Sequence, residues 1–185
     1  MNTLWRIGLL ALVAMLVGCS SGSYIPPTVS SDLASSTVVS KSYDETWNDL
    51  IEYSGSTFFA IENFEKESGL ITLSFGASQP SSYASGGYFE NDAMGFKGDW
   101  VDYIAQFGAS LSGKMNVVVR EVSAGETKVT VNARYIFRGD GVNISFDTGS
   151  CGQQNMGINA IGGTDPIRRV CPTHLAENSI ISALQ

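Results

Sequence analysis

The sequence predicts a two-layer α+β domain, in which an antiparallel sheet of about four to six strands carries two helices on one face. Two hairpin patterns predict the sheet, because apolar and polar residues alternate with the period of two of a strand that is wet on one side. Two apolar stripes with helical spacing lie before and after these hairpins, near residue 43 and at the C-terminus. Helices that bury such stripes on the sheet would complete the second layer.

The chain opens with a short apolar segment of the kind that directs secretion. Arg6 precedes a run of about 11 residues, which is too short for the roughly 20 that cross a bilayer as a helix. The run ends at Leu16-Val17-Gly18-Cys19, which resembles the lipobox of bacterial lipoproteins. The resemblance implies that residues 1–18 are a signal peptide and that the Cys19 thiol becomes the lipid-bearing group.

The lipobox resemblance also implies a location. Bacterial lipoproteins carry several acyl chains, which hold a protein durably where one chain binds marginally. Ser20 follows the cysteine in place of an aspartate, and similarity to sorted lipoproteins then favours the periplasmic face of the outer membrane. Residues 19–36 are rich in serine and contain Pro26-Pro27. We therefore expect a flexible tether there, followed by a single domain at 37–185.

The charge balance disfavours nucleic acid as a partner. The chain has 11 Lys and Arg residues, one of them in the leader, so the mature chain carries ten against 18 Asp and Glu, a net charge of −8. Such a surface repels phosphate backbones and anionic headgroups. The 167 residues that follow the leader are enough for one domain with a core of its own.

Two cysteines remain once Cys19 is acylated. Cys151 and Cys171 form an even pair in an oxidising compartment, which predicts a disulfide within the Gly- and Asn-rich loop segment 139–172. The competing interpretation is a metal or redox pair. A metal site would need further ligands, but the chain has no other thiol near the pair and only one histidine, His174. The disulfide is therefore favoured.

A capping box opens the first predicted helix, after a short strand at 37–40. Ser42 and Glu45 are spaced so that the Ser42 hydroxyl accepts from the Glu45 amide while the Glu45 side chain reaches back. An amphipathic helix is predicted over 43–54, with Gly55 at its end. Its apolar face consists of Tyr43, Trp47, Leu50 and Ile51.

Two hairpins follow the helix. Residues 57–64 and 70–75 flank a turn that contains Gly69, and residues 115–120 and 128–138 flank a second turn. Alternation in the first hairpin places Ile71, Leu73 and Phe75 on one side.

The segment between the hairpins, 76–111, is predicted to be a long loop insert. Within it, residues 99–107 form either a short helix or an extra strand. Thr173 is predicted to cap a closing helix, whose apolar stripe consists of Ala176, Ile180, Ile181 and Leu184.

Part of this order resembles a known family. Val38-Val39, the segment Tyr43-Asp44-Glu45-Thr46-Trp47 and the turn Lys66-Glu67-Ser68-Gly69-Leu70-Ile71 are similar to the helix-grip domains of outer-membrane lipoproteins such as BamC. The likeness covers residues 37–75 and implies a helix-grip fold. The insert and the disulfide segment have no counterpart in that pattern. These are packing motifs, so the resemblance implies a fold and not an activity.

The sequence contains no catalytic or cofactor signature. A Gly-x-Ser-x-Gly elbow, a phosphate-cradling loop and a metal-ligand cluster are absent. His174, whose nearest candidate partner is Asp165, is interpreted as a polar residue at a helix start. Asp140 and Asp147, like Asp165, lack EF-hand spacing and are interpreted as turn residues. Arg168-Arg169 is interpreted as a solvated pair. We therefore expect no enzyme activity and no cofactor.

Six aromatic residues of the insert are candidates for contact with a partner. Aromatic side chains anchor protein interfaces, and the competing interpretation is that these rings cover one end of the sheet as core. We accordingly expect a non-catalytic, membrane-anchored module that binds or assembles with another envelope protein. The alternative is a helix-grip carrier or sensor of a small apolar ligand, and a hydrolase ranks third. The six residues are Tyr88, Phe89, Phe96, Trp100, Tyr103 and Phe107.

Overall fold

The computed structural model describes residues 22–28, 35–139, 141–156 and 167–185. Strands make up 52% and helices 23% of this part, and the strands form three antiparallel sheets. The predicted two-layer α+β domain with two helices on one sheet is therefore wrong, because the fold is β-rich. The difference arises in the two predicted loop segments, 76–111 and 139–172, each of which contributes three further strands.

The elements within the described residues are numbered along the chain. The strands are β1 (Ser23–Ile25), β2 (Ser36–Val39), β3 (Ala60–Glu65), β4 (Leu70–Ala77), β5 (Ala84–Ser85), β6 (Tyr88–Asn91), β7 (Phe96–Asp99), β8 (Ser110–Ser123), β9 (Glu126–Gly139), β10 (Val142–Asp147), β11 (Gly152–Asn155) and β12 (Ile167–Pro172). The helices are α1 (Tyr43–Ser56), α2 (Trp100–Ala105) and α3 (Leu175–Ser182), with single 3₁₀ turns at Pro80–Ser82 and Asp92–Met94.

The main sheet has six strands. Its order is β10-β9-β8-β4-β3, and β2 pairs with β9 on the edge that β10 also occupies. The long strands β8 and β9 pair along their length around a turn at Ala124-Gly125, as the alternation predicts. Every second residue is buried along β9 and along β8 as far as Val119, so one face of this sheet is open to water. The buried face includes Leu111, Met115, Val117, Val129, Val131, Tyr135 and Phe137.

Both strands of the first predicted hairpin are confirmed as β3 and β4. Ile71, Leu73 and Phe75 of β4 are buried, as their alternation predicts. The edge strand β3 is exposed at five of its six positions and carries a register shift between Ile61 and Asn63. A bulge of this kind twists an edge strand and discourages pairing with other chains.

Helix α1 confirms the predicted capping box. Ser42 Oγ accepts from the Glu45 amide at 3.3 Å, and a Glu45 carboxylate oxygen accepts from the Ser42 amide at 2.9 Å. The helix runs to Ser56, one residue beyond the predicted Gly55, and contacts β8, β3 and β9. Trp47 and Leu50 are buried on this side of the main sheet.

The two smaller sheets are built from the segments that the sequence predicts to be irregular. One has the order β1-β6-β7 and the other β11-β12-β5. The predicted disulfide is confirmed, and the Cα atoms of Cys151 and Cys171 lie 4.2 Å apart. Its position follows from the register, because Gly152 pairs with Val170 and the next residues outward are the two cysteines.

The structure decides between the two alternatives for residues 99–107, and it moves the predicted start of the closing helix by one residue. Residues Trp100–Ala105 form a short helix, so the helical alternative for 99–107 holds. Helix α3 begins at Leu175, and the residue before it is His174 rather than the predicted cap Thr173. The apolar stripe of α3 is buried as predicted.

One segment of the predicted tether belongs to a sheet, because Ser23–Ile25 pairs with β6, and Pro27 is buried. The short strand predicted at 37–40 is confirmed as β2, which pairs with β9. Cys19 and the predicted signal peptide lie outside the described residues. None of the helices that the structure describes is long and apolar enough to span a bilayer.

Candidate functional site

The structure separates the six predicted aromatic residues into three groups. Trp100 is only 2% exposed, and its ring lies against Phe137 of the core. Tyr88 is 41% exposed and lies opposite Ile25 in the sheet β1-β6-β7. The remaining four residues contact one another.

These four rings form a continuous cluster across β6, β7 and α2. The ring centroid of Tyr103 lies 4.7 Å from that of Phe89, 5.0 Å from that of Phe96 and 5.3 Å from that of Phe107. Met94 joins them, because the Tyr103 hydroxyl oxygen lies 3.0 Å from its sulfur. Met94 is 57% exposed and Phe107 is 51% exposed. We call Phe89, Met94, Phe96, Tyr103 and Phe107 the aromatic cluster.

Local hydrogen bonds and one glycine position the cluster. The Asn91 side chain accepts from the Met94 amide at 3.2 Å, and Gly95 has a φ of 64°, a left-handed conformation that glycine adopts without strain. These two residues close the turn between β6 and β7. Asp99 begins α2 by accepting from the Val101 amide at 3.0 Å. Burial raises the pKa of the Asp99 carboxyl above its usual value, against the lowering effect of its hydrogen bonds.

The buried side chain of Arg168 packs against the aromatic cluster. The Arg168 guanidinium lies 4.3 Å from the ring centroid of Tyr24 and 5.1 Å from that of Phe89. The Tyr24 hydroxyl accepts from the Arg169 amide at 3.0 Å. These contacts bind β1 and β6 to β12. Of the predicted solvated pair, Arg169 is exposed and Arg168 is buried, because the two alternate along a strand.

A second group of polar side chains lies inside the protein, between α3 and the main sheet. The Tyr135 hydroxyl donates to Glu177 Oε2 at 2.6 Å, and the Thr148 hydroxyl donates to Glu177 Oε1 at 2.8 Å. His174 Nδ1 lies 3.7 Å from the same oxygen, beyond hydrogen-bond distance. We call Tyr135, Thr148, His174 and Glu177 the buried polar cluster.

The buried polar cluster fastens α3 to β9. Tyr135 is fully buried and Glu177 is 1% exposed. Burial, reinforced by the Glu177 charge, raises the pKa of Tyr135, so its hydroxyl stays neutral and remains a donor. His174 has a φ of 64°, and neither ring nitrogen has a hydrogen-bond partner among the described residues.

Sequence reasoning missed Glu177, the carboxylate that accepts both hydroxyl hydrogen bonds of the buried polar cluster. The available signal is a carboxylate inside an apolar stripe, since Ala176, Ile180 and Ile181 surround it on one helix face. Asp165, the partner predicted for His174, lies outside the described residues, as does Asp140. Asp147 accepts from the Gly149 amide at 3.0 Å, which is an ordinary turn contact.

A groove of about 470 Å³ crosses the open face of the main sheet. Its floor consists of short residues that β3, β4 and β8 bring side by side, and two apolar side chains, one exposed and one half-buried, form its rim. Gly76 pairs with Ser112, which pairs with Ile136, so the register sets this arrangement. We call it the sheet groove, with the floor residues Ala60, Ser74, Gly76 and Ser112 and the rim residues Phe58 and Ile136.

Sequence reasoning did not find the sheet groove. Its floor residues come from three strands and carry no motif. Phe58, which is 55% exposed, was predicted to belong to a strand, and it stands two residues before β3. Its ring centroid lies 4.4 Å from that of Phe59 and 5.9 Å from that of Tyr83, so a buried aromatic group supports it.

The described residues contain no group of three or more His, Cys, Asp or Glu side chains arranged to hold a metal ion. No family model matches the chain, and no curated protein or solved structure matches it.

Proposed function

We propose that this protein is a lipid-anchored, non-catalytic module of the bacterial envelope that binds another envelope protein through the sheet groove. The supporting observation is that this groove, on the open face of the main sheet, combines a floor of short side chains with one exposed aromatic ring at its rim. Such a surface lets a partner approach the strands closely and gives it a ring to pack against.

The rim supplies the apolar part of this surface. Phe58 rests on Phe59 and Tyr83, so its ring is held in place before a partner arrives and loses little conformational freedom on binding. Ile136 stands on the other side of the floor. A partner side chain inserted between Phe58 and Ile136 would contact an apolar residue on each side and lose its contact with water there.

Charged residues border the groove on its β8 and β9 side. Lys114 is paired with Glu62, and Arg134 is exposed beside it in the register of the sheet. Arginine is enriched in protein interfaces because its planar group donates several hydrogen bonds and stacks on rings. A partner with a carboxylate at this position fits the groove.

The proposed lipid anchor favours a partner that lies in the same compartment. Acylation of Cys19, which the lipobox resemblance implies, would confine the module to the membrane surface and raise its effective concentration there. The packing of Trp47 and Leu50 between α1 and the main sheet does not favour the carrier hypothesis, because those side chains fill the space where a ligand would lie.

Photocrosslinking in living cells tests the proposal. A photoreactive residue replaces Ser112 in the groove or, as a control, Arg120 on the same face of β8, about 26 Å away at the rise of a strand. We expect one defined protein adduct from the groove position and none from the control. Phe58→Ala should abolish the adduct.

Phe64→Ala is the matched control for Phe58→Ala, because Phe64 is 61% exposed and belongs to the adjoining strand β3 but does not line the groove. It should leave the adduct intact. Equal adducts at both probe positions, or an adduct that survives Phe58→Ala in a folded protein, would contradict binding at the groove. The mass of the N-terminal peptide reports separately whether Cys19 is acylated.

A further inference from the structure

We propose that the aromatic cluster is a membrane-docking surface, which rests on the lipid bilayer that holds the acyl chains of Cys19. The inference rests on the lipid anchor of the proposed function, and it goes beyond that function by assigning an occupant to a different surface. Three observations carry it: the direction of β1, the length of chain before it and the chemistry of the exposed residues.

The direction of β1 leads the chain towards the aromatic cluster. β1 is antiparallel to β6, with Ile25 opposite Tyr88 and Ser23 opposite Glu90. Towards its N-terminus β1 therefore runs towards the end of β6, where the turn into β7 carries Met94. Gly22, the first residue of this segment that the structure describes, still lies against Glu90, since a Cβ built on it would stand 3.1 Å from the Glu90 carbonyl oxygen.

The covalent reach of the chain keeps the anchor close to this turn. Cys19 precedes Gly22 by three residues, and an extended chain spans at most about 3.6 Å per residue, so the two Cα atoms are separated by no more than about 11 Å. The headgroup layer on one side of a bilayer is roughly 5–8 Å thick. Acyl chains on Cys19 therefore hold the β6–β7 turn at the depth of the headgroups or just above them.

The residues brought to that depth have the chemistry of an interface. Met94 and Phe107 are more than half exposed, and they flank Tyr103, whose hydroxyl contacts Met94 and Asn91. Aromatic side chains with one apolar and one polar end concentrate at the boundary between acyl chains and water. Burial of Met94 and Phe107 in that boundary adds apolar contact area to the acyl anchor.

The charges around the cluster favour a zwitterionic surface over an anionic one. Glu90 and Lys97 neutralise one another in an ion pair on β6 and β7, and Asp92 is exposed beside Met94. The mature chain as a whole carries a net charge of −8. Docking therefore depends on apolar insertion, and phosphatidylcholine or phosphatidylethanolamine is the expected surface.

Tryptophan quenching by brominated lipids tests the proposal. The full-length chain is expressed in a Gram-negative host, purified from its membranes and reconstituted in phosphatidylcholine vesicles whose acyl chains carry bromine. Variant F107W is compared with V122W, because Phe107 is 51% and Val122 52% exposed and they lie near opposite ends of β8, about 40 Å apart. Of the three native tryptophans, Trp5 lies in the leader that processing removes, and the buried Trp47 and Trp100 contribute the same background to both variants.

We expect quenching of F107W to exceed that of V122W at least threefold, and to fall when anionic phosphatidylglycerol replaces part of the phosphatidylcholine. Urea unfolding of each variant shows that both are folded. Equal quenching of the two variants in a protein whose N-terminal mass shows acylation would overturn membrane docking while leaving the proposed function standing. A photoreactive residue at Phe107 that captures a protein instead of lipid would also overturn it.

An N-terminal mass without fatty acid would remove the anchor on which both proposals depend. That result is read from the peptide alone, before any quenching is measured, so the two failures are distinguishable.

Discussion

At the scale of single residues, the buried polar cluster shows how a carboxylate is kept inside a β-rich core. Glu177 accepts from the hydroxyls of Tyr135 and Thr148, so both of its oxygens have a donor. A buried carboxylate without such donors would cost several kcal/mol of desolvation. The same contacts tie α3 to β9 and to the loop after β10.

Tyr135→Phe should lower the free energy of unfolding by about 1–3 kcal/mol, because it removes one of the donors to a buried carboxylate. Tyr88→Phe is the control, since Tyr88 is exposed and should change stability by no more than about 0.5 kcal/mol. Urea unfolding at pH 7 measures both. Equal midpoints for the two variants would show that the hydrogen bond contributes nothing.

The same residue predicts a loss of stability in alkali. Burial raises the pKa of Tyr135 in the folded protein, while in the unfolded chain it titrates near its usual value of about 10. Above that pH the unfolded state loses a proton that the folded state keeps, so stability falls by up to about 1.4 kcal/mol per pH unit. Urea unfolding between pH 9 and 11 should show a shallower decline for Tyr135→Phe than for the wild type, and parallel curves would contradict this assignment.

At the scale of elements, close packing between β4 and β8 depends on a glycine. The Phe75 ring lies over Gly113, and a Cβ built on that glycine would stand 2.4 Å from the ring. The ring cannot withdraw easily, because Phe59, Tyr83 and Tyr135 surround it at centroid distances of 5.7, 5.3 and 5.8 Å. The aromatic group beneath the sheet groove is therefore fitted to a strand without a side chain at this point.

Gly113→Ala should destabilise the protein by about 1–3 kcal/mol through overpacking. Gly76→Ala is a matched control on the neighbouring strand, since nothing lies within 4 Å of the added Cβ, and its effect should be neutral or stabilising by up to about 1 kcal/mol. Thermal unfolding of the two variants distinguishes them. Similar melting temperatures would mean that the Phe75 ring moves aside without cost.

The disulfide between Cys151 and Cys171 is a second feature that stabilises the packing of elements. It joins residues 20 positions apart and holds the short strands β11 and β12 together. Replacement of both cysteines by serine should cost about 3 kcal/mol, the loop-closure entropy of a loop of this length. Urea unfolding with and without a thiol reductant checks this, because the reductant should lower the midpoint of the wild type and leave the double variant unchanged. An unaffected wild type would contradict the prediction.

At the scale of the whole molecule, β8 and β9 form the centre on which the other elements are assembled. They pair with each other, and they also pair with β4, β2 and β10, while α1 and α3 pack against them. The sheet β1-β6-β7 depends instead on side-chain contacts around Arg168 and on strands of three or four residues. The centre should therefore open only with global unfolding, and the small sheet should open locally.

Amide hydrogen exchange measures this difference. We expect the slowest exchange at Val117 and Val131, in the middle of the long hairpin, and faster exchange by at least tenfold at Tyr24 and Phe89. Val122, at the register shift near the end of β8, serves as an internal control and should also exchange fast. Uniform protection across both sheets would show instead that the molecule unfolds as one unit.

Local patterns in the sequence determined the elements that are long enough to show a period. α1 and its capping box, the hairpins β3–β4 and β8–β9 and the stripe of α3 follow from spacing alone, because each buries one face over several turns or strand residues. The disulfide follows from the number of cysteines and the oxidising compartment that the leader predicts. Of the aromatic cluster, all but Met94 could be proposed from composition, since aromatic residues are concentrated in one segment.

Tertiary structure alone decided the rest. β1, β5, β6, β7, β11 and β12 have two to six residues each, too few for a period to be visible, and β1 exists only because it pairs with a strand more than 60 residues away. Burial of Trp100 and exposure of Phe107 depend on how α2 lies on its neighbours, and the sheet groove depends on the register of three strands. Such long-range pairings outweigh local propensity. For this reason the sequence predicts an α+β domain, whereas the folded structure is β-rich.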